Sequence, residues 1–482
     1  MGIDTAGTSA AGSDPGAASG AGAASGAGAA SGVRGPANVA ARHDGARAIA
    51  GLLPGTTLSR VASSPLSLWI AFLVVHLIIG ALALIQGKGL GDVMWVYKPW
   101  AQLAAQGTEI VGVNADWVYP FAAIVPVMLP LLFGADNYVG GWLTMVMLLN
   151  AAAFAVVIVG REPRRLVAGW WWLAFMLLLG PIAVGRLDSV SAALAIIGVL
   201  WLTLHERAAV VVLTVATWIK VWPAAILLAA VVGLRSRWRI VATAAVTSAI
   251  IVAVPLIFGA GLHVLSFITM QTGRGIQIEA PVATFWMWQA AFHVPGAVVY
   301  FDLDLLTFQV TGEGTVAAGS LMNPLFGLTA VVVALIGIRS LRRGTPYTRI
   351  LPELSLALVT AFIAFNKVGS PQYITWLAAP VIIGLVYQGR GFKTPSVLVL
   401  VAAALTQVIY PYLYSGLLIP LPILVAVLTA RNLMYFVILG WTIGALGRKR
   451  HADEAAGDLL PAHAWPFRAA PDAHPVPVRE AG

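Results

Sequence analysis

Long apolar segments recur along most of this chain and are separated by short basic clusters. A bilayer core about 30 Å thick needs about 20 apolar residues per spanning helix, and the runs 66–86, 138–160 and 240–259 have about this length. With 59% hydrophobic and 10% charged residues among 482, the chain cannot fold as an ordinary soluble domain. We therefore expect an all-α, polytopic membrane protein.

The net charge of +9 indicates membrane topology and not a nucleic-acid surface, because most Arg and Lys residues lie between apolar runs. The positive-inside rule places these clusters in the cytoplasm. They include Arg161 with Arg164 and Arg165, Arg235 with Arg237 and Arg239, and Arg342 with Arg343. This pattern predicts a multi-pass protein of the cell membrane with about 12 transmembrane helices. Both termini are predicted to be cytoplasmic, and two large outer loops, 87–137 and 260–323, carry interfacial helices.

The two ends of the chain differ in composition from its middle. Residues 1–60 are rich in Ala, Gly and Ser and have too little apolar bulk to offset the entropy of ordering, so they are predicted to be a disordered cytoplasmic tail. Residues 451–482 are predicted to be a second disordered tail. The range 61–450 is then the transmembrane domain.

Three apolar segments, 119–133, 281–299 and 417–429, are short or interrupted by proline. The sequence leaves open whether they cross the membrane or lie at its surface, and interfacial placement is favoured. The segment 208–233 is interrupted at Lys220 and has basic residues on both flanks. An even number of crossings must lie between two cytoplasmic flanks, which predicts two helices of about a dozen residues each that meet at Lys220.

The polar residues outside the basic clusters all map to the predicted outer side. Ionisable groups at a membrane are costly and therefore often functional. Their convergence predicts a pocket for an anionic amphiphile, in which cations bind a phosphate and a carboxylate transfers a proton. The group comprises Asp92, Lys98, Asp116, Arg186 with Asp188, Lys220, Arg274 with Glu279, and Lys367 with Gln372.

Ordinary structural interpretations stay open for the same residues. Asp92 precedes an amphipathic stretch, so it is either an N-cap or a general base. Lys220 could snorkel from a helix end, and Arg274 could pair only with Glu279. The carboxylates of Asp116, Asp302 and Asp304 fit solvated loop charges. The chain has no Cys, and its eight His residues lack metal-ligand spacing, so no metal site is expected.

Several motifs, in this order, resemble the GT-C membrane glycosyltransferases, and among them glycosyltransferase family 87 (DUF2029). That group contains polyprenol-phosphate-mannose-dependent mannosyltransferases and an arabinofuranosyltransferase. The resemblance covers residues 66–447. Two departures are Phe121, where the family commonly has a second Pro, and Arg186, where Gln is common. The motifs are Asp92 with Tyr97, Tyr119-Pro-Phe121, the Gly185 turn, Lys220-Val-Trp-Pro223, Arg274-Gly-Ile-Gln-Ile-Glu279 and Asn366-Lys-Val-Gly-Ser-Pro-Gln-Tyr-Ile-Thr-Trp376.

The resemblance implies an inverting transfer of a sugar, with mannose expected, from a polyprenyl-phosphate donor to a glycolipid or glycan acceptor. It implies an active site facing the extracytoplasmic side, no cofactor, membrane lipids as partners and Asp92 as catalytic base. Alternatives are arabinofuranosyl transfer, a non-enzymatic lipid-sugar flippase or transporter, and a polysaccharide polymerase or ligase. Candidates for the donor phosphate are Lys220, Lys367 and Arg274, and further substrate-binding candidates are Gln372, Arg186, Glu279, Tyr97 and Tyr119.

Overall fold

A computed structural model describes residues 64–87, 89–270, 274–303 and 305–448. The predicted tails at 1–60 and 451–482, and Asp304, lie outside the described residues.

The described part of the chain is mostly helical. Helices suit a bilayer because each satisfies its own backbone N–H and C=O groups. The helices are α1 Pro65–Gln86, α2 Lys98–Ala105, α3 Ile124–Met128, α4 Tyr138–Ile158, α5 Pro163–Leu179, α6 Leu187–Trp201, α7 Glu206–Ile219, α8 Ala224–Gly233, α9 Arg237–Ile257, α10 Ser266–Thr269, α11 Thr284–Ala291, α12 Thr315–Arg342, α13 Tyr347–Ala364, α14 Ala378–Gln388, α15 Lys393–Gln407, α16 Tyr414–Leu418 and α17 Pro422–Gly447.

Eight helical stretches within the described residues are long and apolar enough to cross a membrane. The chain is therefore a polytopic helical membrane protein, but the expected number of about 12 spans is not confirmed. Three of the predicted spans correspond to α6, α7 and α8, which are too short to be counted. Two more, 374–387 and 395–409, belong to one stretch, Pro371–Tyr412, that turns at Gly389–Phe392.

Burial separates the centre of the helix bundle from its periphery. In α13, 78% of the apolar window is buried, and α6 and α14 are buried along nearly their whole length. In α9 and α12 the buried shares are only 11% and 17%, because side chains such as Ile250 and Leu328 point outward. Exposed apolar side chains of this kind are what a lipid-facing helix presents. The central helices α6 and α13 carry the segments that build the site.

The predicted break at Lys220 is confirmed. Helix α7 ends at Ile219, Lys220 has extended backbone (φ −147°, ψ 134°), and α8 starts at Ala224 after Pro223. With 14 and 10 residues, the helices are about 21 and 15 Å long. The break therefore places a lysine at the meeting point of two short helices.

The second long loop, 260–323, contains a small antiparallel sheet that departs from the all-α prediction. Its strands are β1 Ile276–Gln277, β2 Val298–Asp302 and β3 Thr307–Thr311, in the order β1-β3-β2. Ile276 faces Val310, and Val299 also faces Val310 from the other side. Strand β1 has only two residues and β2, Val-Val-Tyr-Phe-Asp, does not alternate, so only β3, Thr-Phe-Gln-Val-Thr, carries a strand pattern in the sequence.

The three segments left open by the sequence have different outcomes. Residues 121–133 form α3 between two 3-10 turns, Phe121–Ala123 and Leu129–Phe133, and do not form a long span. Residues 281–299 form α11 and the start of β2.

The prediction that 417–429 is separate from a span at 433–446 is wrong. Most of both ranges belongs to the single helix α17. Arg431 and Asn432 interrupt the apolar pattern in the sequence, but both are buried and bonded inside the fold, to Glu279 and Thr284. Polar side chains that find bonding partners inside the fold can lie within a helix without ending it.

Candidate active site

Asp92 lies where the first long loop, 87–137, enters a helical segment that runs as a π-helix over Val93–Tyr97 and continues as α2. Its carboxylate makes no cap hydrogen bond to the helix. Instead, Asp92 Oδ2 lies 3.0 Å from Arg186 Nε, and 34% of the Asp92 side chain is exposed. The N-cap interpretation is therefore not supported, and the carboxylate is both paired and accessible.

Arg186 immediately precedes α6 and is buried. Its Nη1 donates to the carbonyl oxygens of Gly89 at 3.3 Å and Gly185 at 3.1 Å, and its Nη2 donates to Tyr410 Oη at 3.3 Å. A side chain at position 185 would overlap the Gly89 carbonyl oxygen. Glycine there lets the first long loop approach closely enough for Asp92 to meet Arg186.

Lys220 pairs with Asp188, two residues after Arg186. The Lys220 Nζ to Asp188 Oδ2 distance is 3.4 Å, and Asp188 Oδ1 accepts a 2.6 Å hydrogen bond from Trp376 Nε1. The ammonium also lies 4.6 Å from the centre of the Tyr119 ring, which is within cation–π range. Lys220 therefore does not snorkel away from the protein.

We call Asp92, Arg186, Asp188 and Lys220 the paired charge cluster. It brings together three segments that are far apart in the sequence, and its two carboxylates and two cations together carry no net charge. Asp188 in the first turn of α6 also faces the positive end of that helix dipole. Asp92 is its most exposed member.

Two further cations, Lys367 and Arg274, lie near each other in the segments that follow α13 and precede β1. Burial and the Arg274 guanidinium both lower the pKa of Lys367. The Lys367 carbonyl accepts the Gln277 N–H at 3.0 Å, which ties the two segments together. Lys220 Nζ lies 5.9 Å from the centre of the Tyr373 ring, and Tyr373 stacks on Trp376, which donates to Asp188. These contacts place the segment 366–376 beside the paired charge cluster.

A close backbone approach supports this arrangement. A Cβ atom at Gly369 would overlap the backbone of Glu279 and Ala280. Glycine at this position therefore lets the segment 366–376 lie against the segment 274–280.

Glu279, a predicted substrate-binding residue, has its ion-pair partner on a distant helix. It is buried and pairs with Arg431 of α17, with Arg431 Nη1 3.3 Å from Glu279 Oε2 and Nη2 2.8 Å from the Glu279 carbonyl oxygen. Burial raises the pKa of Glu279 to about 7, against the lowering effects of Arg431 and of a hydrogen bond with Tyr414. The interpretation that Arg274 pairs only with Glu279 is wrong, and Glu279 has a structural partner that sequence reasoning missed.

Tyr97 and Gln372 are also buried. The Tyr97 hydroxyl accepts the Leu187 N–H at 3.5 Å, and its ring packs at 5.2 Å against Trp142. Gln372 Oε1 accepts a hydrogen bond from Ser370 Oγ at 2.7 Å. Both side chains are bonded within the protein, and the substrate contact predicted for them stays a prediction.

Three residues that hold the site together were not among the sequence candidates. Trp376 fixes Asp188, Tyr410 binds Arg186, and Arg431 binds Glu279. The available signal was weak: Arg431 is a lone cation inside a long apolar run, and Tyr410 belongs to a Tyr-Pro-Tyr-Leu-Tyr motif.

Among the described residues, no group of three or more His, Asp or Glu side chains could hold a metal ion. The chain was also compared with known proteins. No protein-family model, no curated protein and no solved structure matches it.

Proposed function

We propose that this protein is a membrane glycosyltransferase that moves a sugar, mannose in the first instance, from a polyprenyl-phosphate donor to a glycolipid or glycan acceptor. The reaction takes place on the extracytoplasmic face and inverts the anomeric configuration. Asp92 is the general base. The support comes from the motif resemblance to the GT-C glycosyltransferases together with the chemistry that the clustered residues allow.

The observation that carries the proposal is the setting of the Asp92 carboxylate. It is one-third exposed, and the buried Arg186 guanidinium holds one of its oxygens at 3.0 Å. A general base must be both accessible and held within hydrogen-bond reach of the proton that it takes.

The proposed reaction balances without a cofactor. An acceptor hydroxyl oxygen attacks the anomeric carbon of the donor sugar and forms the new C–O bond, while its proton passes to Asp92. The bond between the anomeric carbon and the phosphate oxygen breaks, and the polyprenyl phosphate leaves with the electron pair. Nearby cations stabilise the charge that develops on this phosphate.

The charges of the site change the expected order of the phosphate ligands. Lys220 is already paired with Asp188, so a phosphate would compete with a carboxylate for it. Burial, and after it the neighbouring Arg274 guanidinium, lowers the pKa of Lys367, so each of these two cations disfavours the charge of the other. An anion beside both cations relieves this repulsion. We therefore assign the donor phosphate to Arg274 and Lys367 first, and we give Lys220 a supporting role through Asp188 and Tyr119.

The test is mass spectrometry of the cell-envelope glycolipids and glycans in a strain that lacks the protein. Complementation with the wild type is expected to restore the missing sugar, and Asp92→Asn is expected not to restore it. The matched control is Asp116→Asn, which alters another exposed carboxylate of the first long loop. Both variants must reach the membrane in wild-type amounts.

Full restoration by Asp92→Asn would reject the proposed chemistry. A flippase would give another pattern: labelled polyprenyl-phosphate mannose would cross vesicles containing the purified protein, and no sugar would reach an acceptor. Transfer of arabinofuranose in place of mannose would keep the mechanism and change the donor.

A further inference from the structure

The motif Tyr410-Pro-Tyr412-Leu-Tyr414 has no part in the chemistry proposed above. It lies at the end of α15, where a π-helical turn, Val408–Tyr412, is interrupted by extended backbone at Tyr410 (φ −119°, ψ 128°). Such turns inside helices often occur at functional sites. Because of this interruption, the Tyr410 side chain points in a direction that it would not have in a continuous helix.

The Tyr410 hydroxyl accepts a hydrogen bond from Arg186 Nη2 at 3.3 Å. Nη1 of Arg186 donates to the carbonyl oxygens of Gly89 and Gly185, and Nε lies 3.0 Å from Asp92 Oδ2 in an ion pair. A guanidinium is planar, so its N–H groups point in fixed directions. Hydrogen bonds from Nη1 and Nη2 therefore fix the plane of the Arg186 head group, and with it the position of Nε, which lies 3.0 Å from Asp92 Oδ2 in an ion pair.

Tyr410 is itself held in place by the second long loop. Its ring packs edge to face on Tyr414, with the centroids 5.2 Å apart and an interplanar angle of 84°. Tyr414 shares a hydrogen bond with Glu279, and Glu279 pairs with Arg431. One chain of contacts therefore connects the buried carboxylate of the second long loop with the exposed carboxylate of the first.

We propose that Tyr410 is a positioning residue, whose hydroxyl fixes the Arg186 guanidinium and thereby the Asp92 carboxylate. The expected effect of Tyr410 on turnover rests on the proposed function. The geometric part, that Tyr410 restrains Asp92 through Arg186, does not depend on any activity. Each part therefore has its own measurement.

The variant is Tyr410→Phe, which removes the hydroxyl and keeps the ring. The matched control is Tyr412→Phe, which removes a hydroxyl from a half-buried tyrosine two residues away. The activity measurement uses purified protein, polyprenyl-phosphate mannose and octyl mannoside as acceptor. Because a hydrogen bond to a charged group is lost, we expect Tyr410→Phe to lower kcat about tenfold or more with KM unchanged. Tyr412→Phe is expected to retain wild-type kcat.

A double variant separates positioning from a general loss of stability. If Tyr410 acts through Arg186, then Tyr410→Phe adds nothing to the loss caused by Arg186→Gln, since the contact is already absent. Independent, multiplying losses in the double variant would overturn the proposal.

The activity-independent measurement is carbodiimide labelling of carboxyl groups with glycine ethyl ester, followed by mass spectrometry. Release of Arg186 in Tyr410→Phe is expected to increase labelling of Asp92 severalfold. Labelling of Asp116, whose side chain is 56% exposed and pairs with His263, is expected to stay constant. Unchanged Asp92 labelling in Tyr410→Phe would overturn the proposal. If the wild type shows no transfer, the proposed function fails, and the labelling still decides the role of Tyr410.

Discussion

The buried ion pair between Arg431 and Glu279 offers a direct test of how α17 holds the second long loop. The side chains are 1% and 3% exposed. In Arg431→Met the apolar volume is largely kept, but Glu279 loses both its counter-ion and the hydrogen bond to its backbone carbonyl. We expect a large loss of stability, because an uncompensated carboxylate stays buried.

The size of the loss follows from the contacts. Arg431 makes two charged hydrogen bonds to Glu279, at 3.3 and 2.8 Å, and each such bond contributes about 1.5–3 kcal/mol. Removal of one partner of a buried pair costs about 3–5 kcal/mol, in agreement with that sum. Replacement of both residues leaves no buried charge, so Glu279→Gln with Arg431→Met is expected to recover part of the loss.

The loss also depends on pH with a definite sign. The pKa of Glu279 is raised from 4.5 to about 7 by burial, so the folded state binds more protons than the unfolded state in this window. The free energy of unfolding therefore falls as pH rises from 4.5 through 7. Loss of the Arg431 charge raises the pKa of Glu279 further and extends this decline above pH 7. The deficit of Arg431→Met is thus expected to be larger at pH 8 than at pH 6.

The assay is unfolding in mixed micelles of increasing SDS content, followed by tryptophan fluorescence at pH 6, 7 and 8. Arg239→Met is the matched control, because it breaks an ion pair with Glu206 in which the Arg239 side chain is 60% exposed. An exposed pair is worth about 0–1 kcal/mol. A deficit for Arg431→Met as small as that of Arg239→Met, or one that shrinks as pH rises, would refute this reasoning.

Three further outcomes are expected. Gly185→Ala forces a Cβ atom against the backbone of the first long loop, so kcat is expected to fall about tenfold or more, with little change in protein yield. Lys220→Met leaves Asp188 buried without its cation, and a lowered midpoint of thermal unfolding is expected, with partial rescue by Asp188→Asn in the double variant. Arg274→Gln is expected to raise KM for the polyprenyl-phosphate donor more than it lowers kcat; an unchanged KM would remove Arg274 from the phosphate site.

Several features of the fold could be predicted from the sequence for a known physical reason. The length of the apolar runs predicted membrane helices such as α1 and α4, and the structure confirms them. The break at Lys220 followed from basic residues on both flanks. These predictions succeed because helix formation in lipid depends on local composition. The predicted number of spans is not confirmed, because some of the predicted helices are short and one helical stretch turns without a loop.

The ion-pair partners of the charged residues could not be predicted from local sequence. The sequence suggested Arg274 as the partner of Glu279, only five residues away, whereas the fold pairs Glu279 with Arg431, 152 residues away. Arg186 and Asp188 were recognised as a polar turn, but nothing local indicated that one binds Asp92 and the other Lys220.

The sequence by itself determined the class of protein, most of its helices and the set of polar residues from which a site could be built, because those properties are set by residues that are neighbours along the chain. Only the tertiary structure decided which of these charges are paired, which are buried and that Asp92 stays accessible. An ion pair forms where distant segments approach, and here two glycines, Gly185 and Gly369, permit the approach. The packing of whole helices against one another sets such distances, and no local pattern records it.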